Sequence, residues 1–163
     1  MGSLLKRLSS VRWGELSDST GSAVAVPALL SKAAWSGGRD ARNAIDQLAD
    51  RVCELGFVLT EATASVVPFL VELAAAPEVS CRSEALELVA AINSARQWSD
   101  AAAAAAPQYR SSYDVKVSWE EDSRAAIAAS KGAIESLSRD ADENIAHIAC
   151  RLLNSLDGYS RAG

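Results

Sequence analysis

Glu143, His147 and Arg151 stand four residues apart, so a helix over this stretch puts an acid, an imidazole and a base on one face, as general acid-base work requires. The same spacing also makes a surface charge line, each pair contributing roughly a few tenths of a kcal/mol, and that plainer reading is preferred. His147 is the only histidine, and Cys53, Cys81 and Cys150 lie far apart without CxxC spacing. No metal site and no cofactor are therefore expected. The three cysteines read as free, buried thiols of a reducing compartment. Asp140 and Asp142 form a carboxylate pair, but acids at the start of a helix are ordinary capping residues. The chain contains no G-x-S-x-G elbow, no Gly-rich phosphate loop and no H-E-x-x-H pair. No catalytic residue is expected, and the protein is read as not an enzyme.

Length and composition narrow the scaffold. A chain of 163 residues suits one domain, which at that size hides roughly 70% of the surface that the unfolded chain exposes. Nearly half the residues are apolar, few are aromatic and alanine is abundant, which favours closely packed helices over a β-branched sheet. A net charge of −5 disfavours a nucleic-acid binder and suits solubility or a basic partner. The N-terminal stretch carries Lys6, Arg7 and Arg12 with only Leu4 and Leu5 as an apolar core, short of the roughly 7–15 residues of a secretory signal. The Met1-Gly2 start is like a myristoylation signal, but Lys6 stands where Ser or Thr is wanted. No apolar run reaches the roughly 18 residues of a membrane helix, so no membrane partner and a cytoplasmic location are expected.

The elements follow from apolar spacing and punctuation. In residues 60–76 Val66, Val67, Phe69, Leu70, Val71 and Leu73 demand a partner face. Forty-one residues earlier, Val26-Pro27-Ala28-Leu29-Leu30 lines up with Val67-Pro68-Phe69-Leu70-Val71, an internal repeat. Proline fits a first turn but costs about 3 kcal/mol in a helix interior, so each copy is a helix starting near the proline or a kinked longer one. A first helix is expected over 22–35, stopped by Gly37-Gly38. A second opens at Arg39 with a stripe of Ala41, Ala44, Ile45, Leu48, Val52 and Leu55, and ends at Gly56. Phe57-Val58-Leu59 is read as a corner, with Thr60 capping the helix over 60–76. Ser80 and Glu84 are read as caps of the next helix, whose stripe is Ala85, Leu88, Val89 and Ile92 and which closes near Arg96.

The pattern then breaks over 97–118. Alanines 101–106 suit a short helix, and Tyr113 to Trp119 alternates as an extended piece would. Helical pattern resumes at Trp119 and runs to Ser138, followed by a final helix over 140–156 with the stripe Ile145, Ile148, Ala149, Leu152, Leu156 and a stop at Gly158. Trp13 and Trp35, at element ends, read as packing anchors. Trp98, Tyr109, Tyr113 and Trp119 crowd the interrupting segment beside Asp114, Glu120, Glu121 and Asp122, the aromatic-plus-charge mixture of an interface hot spot. These eight residues are the partner-binding candidates. The alternative is that the segment only covers the edge between two repeats.

The order Trp13, Gly21-Ser22-Ala23, Val26-Pro27-Ala28-Leu29-Leu30, then Gly56, Ala62-Thr63, Val67-Pro68-Phe69-Leu70, then Ser138-Arg139-Asp140-Ala141-Asp142-Glu143 resembles the small bacterial HEAT-repeat proteins. The spacing also falls within the roughly 40–47 residues of HEAT and armadillo arrays. In that family the last helix commonly begins D-x-x-x-x-V-R; here Asn144-Ile145-Ala146 stands in that place and the arginine is absent. The resemblance implies an all-α fold, a right-handed α-solenoid of about three helix pairs over residues 22–55, 60–96 and 119–157 with an insertion at 97–118, in one domain over 1–163. It implies a binding habit and no reaction. The sharper expectation is an immunity protein that binds and neutralises a cognate bacterial toxin, with a basic toxin domain as partner. A scaffold for another cellular partner is the first alternative. HEAT-like repeats also build alkylpurine DNA glycosylases, but that activity needs a basic concave cleft. The expected concave face carries Asp46, Asp50, Glu54, Glu84, Glu87 and Glu143 against Arg39, Arg42, Arg51 and Arg151. Asp46, Asp50, Glu84 and Glu87 form the alternative docking face.

Overall fold

Pro27 and Pro68 match in the sequence repeat but not in their helices. In a computed structural model that describes residues 4–162, helix α1 is Val26–Trp35 and holds Pro27 in its first turn, where the missing N–H is an orphan in any case. Helix α3 is Thr63–Ala75 and carries Pro68 inside it, with the ring exposed while Val66, Val67, Phe69 and Leu70 around it are buried. The first copy is thus a helix that starts at its proline, and the second is a longer helix that runs through it. The Met1-Gly2 start lies outside the described residues.

Several boundaries differ from the sequence expectation, each for a local reason. Residues 23–25 form a tight 3-10 turn ahead of α1, so that helix begins later than residue 22. Helix α2, Gly38–Val52, buries Ala41, Ala44, Ile45, Leu48 and Val52 as the spacing requires, but stops before Gly56. Strand β3, Cys53–Glu54, instead pairs antiparallel with β4, Val58–Leu59, so the Phe57–Leu59 corner is a hairpin. Thr60 does not cap α3; its backbone N–H donates to the Thr63 hydroxyl, which itself donates to the Val52 carbonyl. Helix α4, Arg82–Ser94, lacks the expected capping box, because the Ser80 hydroxyl donates to the Ser36 carbonyl and Glu84 accepts from Ser83.

The interrupting segment is helical. Helix α5, Gln97–Ala104, is followed by a 3-10 stretch, Pro107–Tyr113, and by α6, Asp114–Ala129. The alternation at Tyr113–Trp119 is therefore not an extended piece. Its inward stripe is Lys116, Glu120, Ser123 and Ile127, at a helical period that an apolar scan misses because a carboxylate and a hydroxyl stand in it. The expected single helix to Ser138 is broken at Ser130, whose hydroxyl donates back to the Ala126 carbonyl, and α7 is Lys131–Leu137. Helix α8, Glu143–Ala162, passes through Gly158, since a helical glycine costs only about 1 kcal/mol.

Helices adjacent in the chain pack on one another. Helix α1 lies against α2, α3 against α4 and α7 against α8, while α3 also meets α6, and α4 meets both α2 and α8. One apolar cluster runs from Leu5 and Trp13 through Leu30, Leu48, Leu70 and Val89 to Ile127, Ile145 and Leu152. At its start Trp13 packs on Phe69 with ring centroids 6.0 Å apart and donates its indole N–H to the Leu8 carbonyl. Trp35 is not a packing anchor: it is 54% exposed at the end of α1.

The open carbonyls at the C-terminal end of α2 are satisfied from a second small hairpin, β1 (Ser17–Asp18) with β2 (Gly21–Ser22). Ser19 donates its hydroxyl to the Asp50 carbonyl and its N–H to the Arg51 carbonyl. Buried Asp18 takes the Arg51 guanidinium at 3.1 Å together with the N–H and hydroxyl of Thr20. A buried charge is tolerated here because it is both paired and hydrogen-bonded.

Candidate functional site

Glu120 is the residue around which the aromatic segment is arranged. Its side chain is fully buried, accepting from the backbone N–H groups of Trp98 at 2.9 Å and Ser99 at 3.0 Å and from the Ser99 hydroxyl. The first N–H groups of a helix have no partner within it, so Glu120 acts as a remote cap on α5 and sits at the positive end of its dipole. One turn along α6, Arg124 donates to the Ala95 carbonyl at 3.4 Å, at the negative end of α4. An i,i+4 Glu-Arg pair on α6 thereby holds both sides of the α4–α5 corner. Glu120 is thus not the expected surface charge, whereas its neighbours Glu121 and Asp122 are exposed. The signal available in the sequence was Glu120 and Arg124 at i,i+4, but their partners are backbone groups more than twenty residues away, which no spacing rule reaches.

The other seven candidates separate by role. Trp98 is half-buried; its indole N–H donates to the Leu59 carbonyl at 2.9 Å, and Lys116 Nζ stands 4.3 Å from its ring centroid. It pins α5 to β4. Tyr113 and Trp119 are half-buried, while Tyr109 is 63% exposed and Asp114, Glu121 and Asp122 are exposed. Among the described residues the four aromatic side chains make no ring-to-ring contact with one another. The segment is no aromatic cluster, then, but an anchored tryptophan with a separately exposed tyrosine.

Between α5 and α6 lies an open depression of about 620 Å³ lined by Ala102, Ala103, Arg110, Asp114, Val117 and Glu121. Asp114, Val117 and Glu121 fall at i, i+3 and i+7, which puts a methyl-bearing side chain between two carboxylates on one face of α6. The alanines of α5 form the opposite wall. With two carboxylates against the one guanidinium of Arg110, and alanine and valine between them, the lining fits the stem and head of a long cationic side chain.

On the alternative face Asp46 and Asp50 of α2 and Glu87 of α4 are exposed, and Glu84 is half-buried. A feature absent from the sequence reading is the tip of the β3–β4 hairpin. Leu55 is 78% exposed and holds a left-handed backbone, φ 58°, next to Gly56 at φ 86°, with Phe57 45% exposed beside it. A leucine in that conformation costs roughly 1–2 kcal/mol and here gains no burial in return.

The residues that could do chemistry are kept apart. Glu143, His147 and Arg151 are all exposed on α8, and no hydrogen bond or ion pair links them among the described residues. Asp142 caps α8 by accepting from the N–H groups of Asn144 and Ile145. Asp140 pairs with Arg82 of α4 and accepts from the Asp142 N–H; the guanidinium bond first, then that N–H, holds its carboxyl below the ordinary value of 3.8. Burial pushes the Cys53 thiol up to about 11, and burial, with the Glu84 charge adding to it, does the same for Cys81. Cys150 is exposed, contrary to the expectation of three buried thiols. Among the described residues no three His, Cys, Asp or Glu side chains gather as a metal site would require, and no helix is long and apolar enough to cross a membrane. No protein-family model, curated protein or solved structure matches the chain.

Proposed function

We propose that this chain is a non-catalytic protein-binding module that docks a basic protein partner on the α5–α6 surface. The observation that carries the reading is the depression with Ala102 and Ala103 on one wall and Asp114, Val117 and Glu121 on the other, closed by Arg110, the chain neighbour of exposed Tyr109. Carboxylates steer a cationic surface inward and speed encounter, while a buried aromatic and the methylenes of a basic side chain slow release. Asp122, exposed on the same helix, adds to the steering charge.

The scaffold is read as a right-handed α-solenoid of three HEAT-like pairs. Supporting this are the lateral contacts of α1 with α3 and α3 with α6 on one side, and of α2 with α4 and α4 with α8 on the other. The specific form of the proposal is an immunity protein that neutralises a cognate bacterial toxin. The test begins with a pull-down from the source cell, comparing the native chain with Tyr109→Ala. A basic protein retained by the first and lost by the second is then expressed in a sensitive host. The immunity reading requires that it arrest growth and that co-expression of the native chain, but not of the variant, restore it; a partner that is harmless to the host overturns immunity, and equal retention by both chains overturns the site.

A further inference from the structure

We infer that residues 97–113 are a detachable strap, fastened by Glu120 and Trp98, and that the α5–α6 depression exists only while the strap is latched. Neither α5 nor the 3-10 stretch after it contains a single buried residue. In contrast α3, which packs on the other side of α6, buries eight of its residues, Thr63, Val66, Val67, Phe69, Leu70, Val71, Leu73 and Ala74. The segment therefore lacks the apolar area that holds a helix to a core. What attaches it is polar and concentrated at one end: the Glu120 carboxylate on the Trp98 and Ser99 groups, and the Trp98 indole on the Leu59 carbonyl. From Asp100 to Tyr113 the remaining side-chain hydrogen bonds are internal, Arg110 to the Ala105 carbonyl and Ser112 to the Tyr109 carbonyl.

A segment held in this way opens as a unit at a free energy far below global unfolding. Opening removes Ala102, Ala103 and Arg110 from the depression and leaves Asp114, Val117 and Glu121 on α6. It also frees the Leu59 carbonyl, which accepts from the Trp98 indole when the strap is down. Glu120 is thus a positioning residue for the docking surface: it sets the fraction of molecules in which the surface is assembled, and apparent affinity falls in proportion to that fraction. This consequence rests on the docking role proposed above, whereas the strap itself does not.

Hydrogen exchange on the unbound full chain tests it, comparing native protein with Glu120→Gln and Trp98→Phe. The glutamine keeps the shape but turns an N–H toward one of the backbone N–H groups; the phenylalanine keeps an aromatic face for Lys116 but gives up the bond to Leu59 and part of the ring area. In the native protein the amides of residues 100–113 should exchange at least about 100-fold faster than those of α3 and α4, and in each variant a further 10- to 100-fold or so faster, with α3, α4 and α8 changed by less than about two-fold. Native protection across 100–113 equal to that of α3 overturns the strap, and does so even if a variant fails to fold. Acceleration by one common factor in every helix, or none in 100–113, overturns it as well. No partner enters this measurement, so a failure of the strap and a failure of the docking reading are told apart.

Discussion

Asp140 shows how a single side chain sets acid sensitivity. Its carboxyl, held below 3.8 by Arg82 and the Asp142 N–H, binds its proton more weakly in the folded chain than in the unfolded one. A folded value below the unfolded one stabilises the protein at pH above the unfolded value, and that contribution is lost as pH falls through 3.8 and on through the folded value. Asp140→Asn should therefore melt lower than the native chain at neutral pH, and the gap should close progressively below about pH 4. A gap that stays constant down to the acid limit would mean that the Arg82 pair contributes nothing. The capping character of Asp142 was legible from its place ahead of an apolar stripe, but that of Asp140 was not borne out, because it pairs instead with Arg82, 58 residues away. Glu120 shows the same limit more sharply, since a glutamate in a polar run reads as surface and only its backbone partners reveal it as interior.

Helices were legible where one apolar face did the work. The stripes of α2 and α8 and the buried run of α3 are simple periods, and the structure buries Ala41, Ile45, Leu48, Ile145, Ile148 and Leu152 where that period puts them. Helices α5 and α6 were legible only in part, as an alanine run and as a helix from Trp119; their first turns escaped because Lys116 and Glu120 hold inward positions that an apolar scan skips. Their ends escaped too: β3–β4 and the break at Ser130 are set by hydrogen bonds of two or three residues, below the length of any hydrophobic window. The prolines make this scale testable. Replacing Pro68 by Ala restores an interior N–H donor to α3 and should raise stability by about 1–3 kcal/mol, whereas Pro27→Ala in the first turn of α1 should leave it unchanged or lower it by up to about 1 kcal/mol. Equal shifts in melting temperature for the two variants would contradict the different placement of the two prolines in their helices.

At the scale of the molecule, the lateral order of helices brings α6 beside α3 and leaves its outer face, with Asp114, Val117 and Glu121, free to meet α5 and solvent. The fold thus sets an acidic face on a rigid helix and covers part of it with a loosely held segment. In the docking proposed above, steering would belong to α6 and closure of the site to the strap. The central claim is that the acidic face of α6 receives a basic protein, and the most direct measurement is the association rate of the purified basic partner as a function of ionic strength, for the native chain and for a variant combining Asp114→Asn, Glu121→Gln and Asp122→Asn. Charges at a docking surface act over about 8 Å at physiological ionic strength and raise association rates by about 10-fold or more. The account predicts that the variant associates at least about ten-fold more slowly at low salt, with a flattened salt dependence and a melting temperature unchanged from the native chain. Equal association rates and equal salt dependence in the two proteins would contradict it and place the docking surface elsewhere, with Asp46, Asp50, Glu84 and Glu87 the next residues to neutralise.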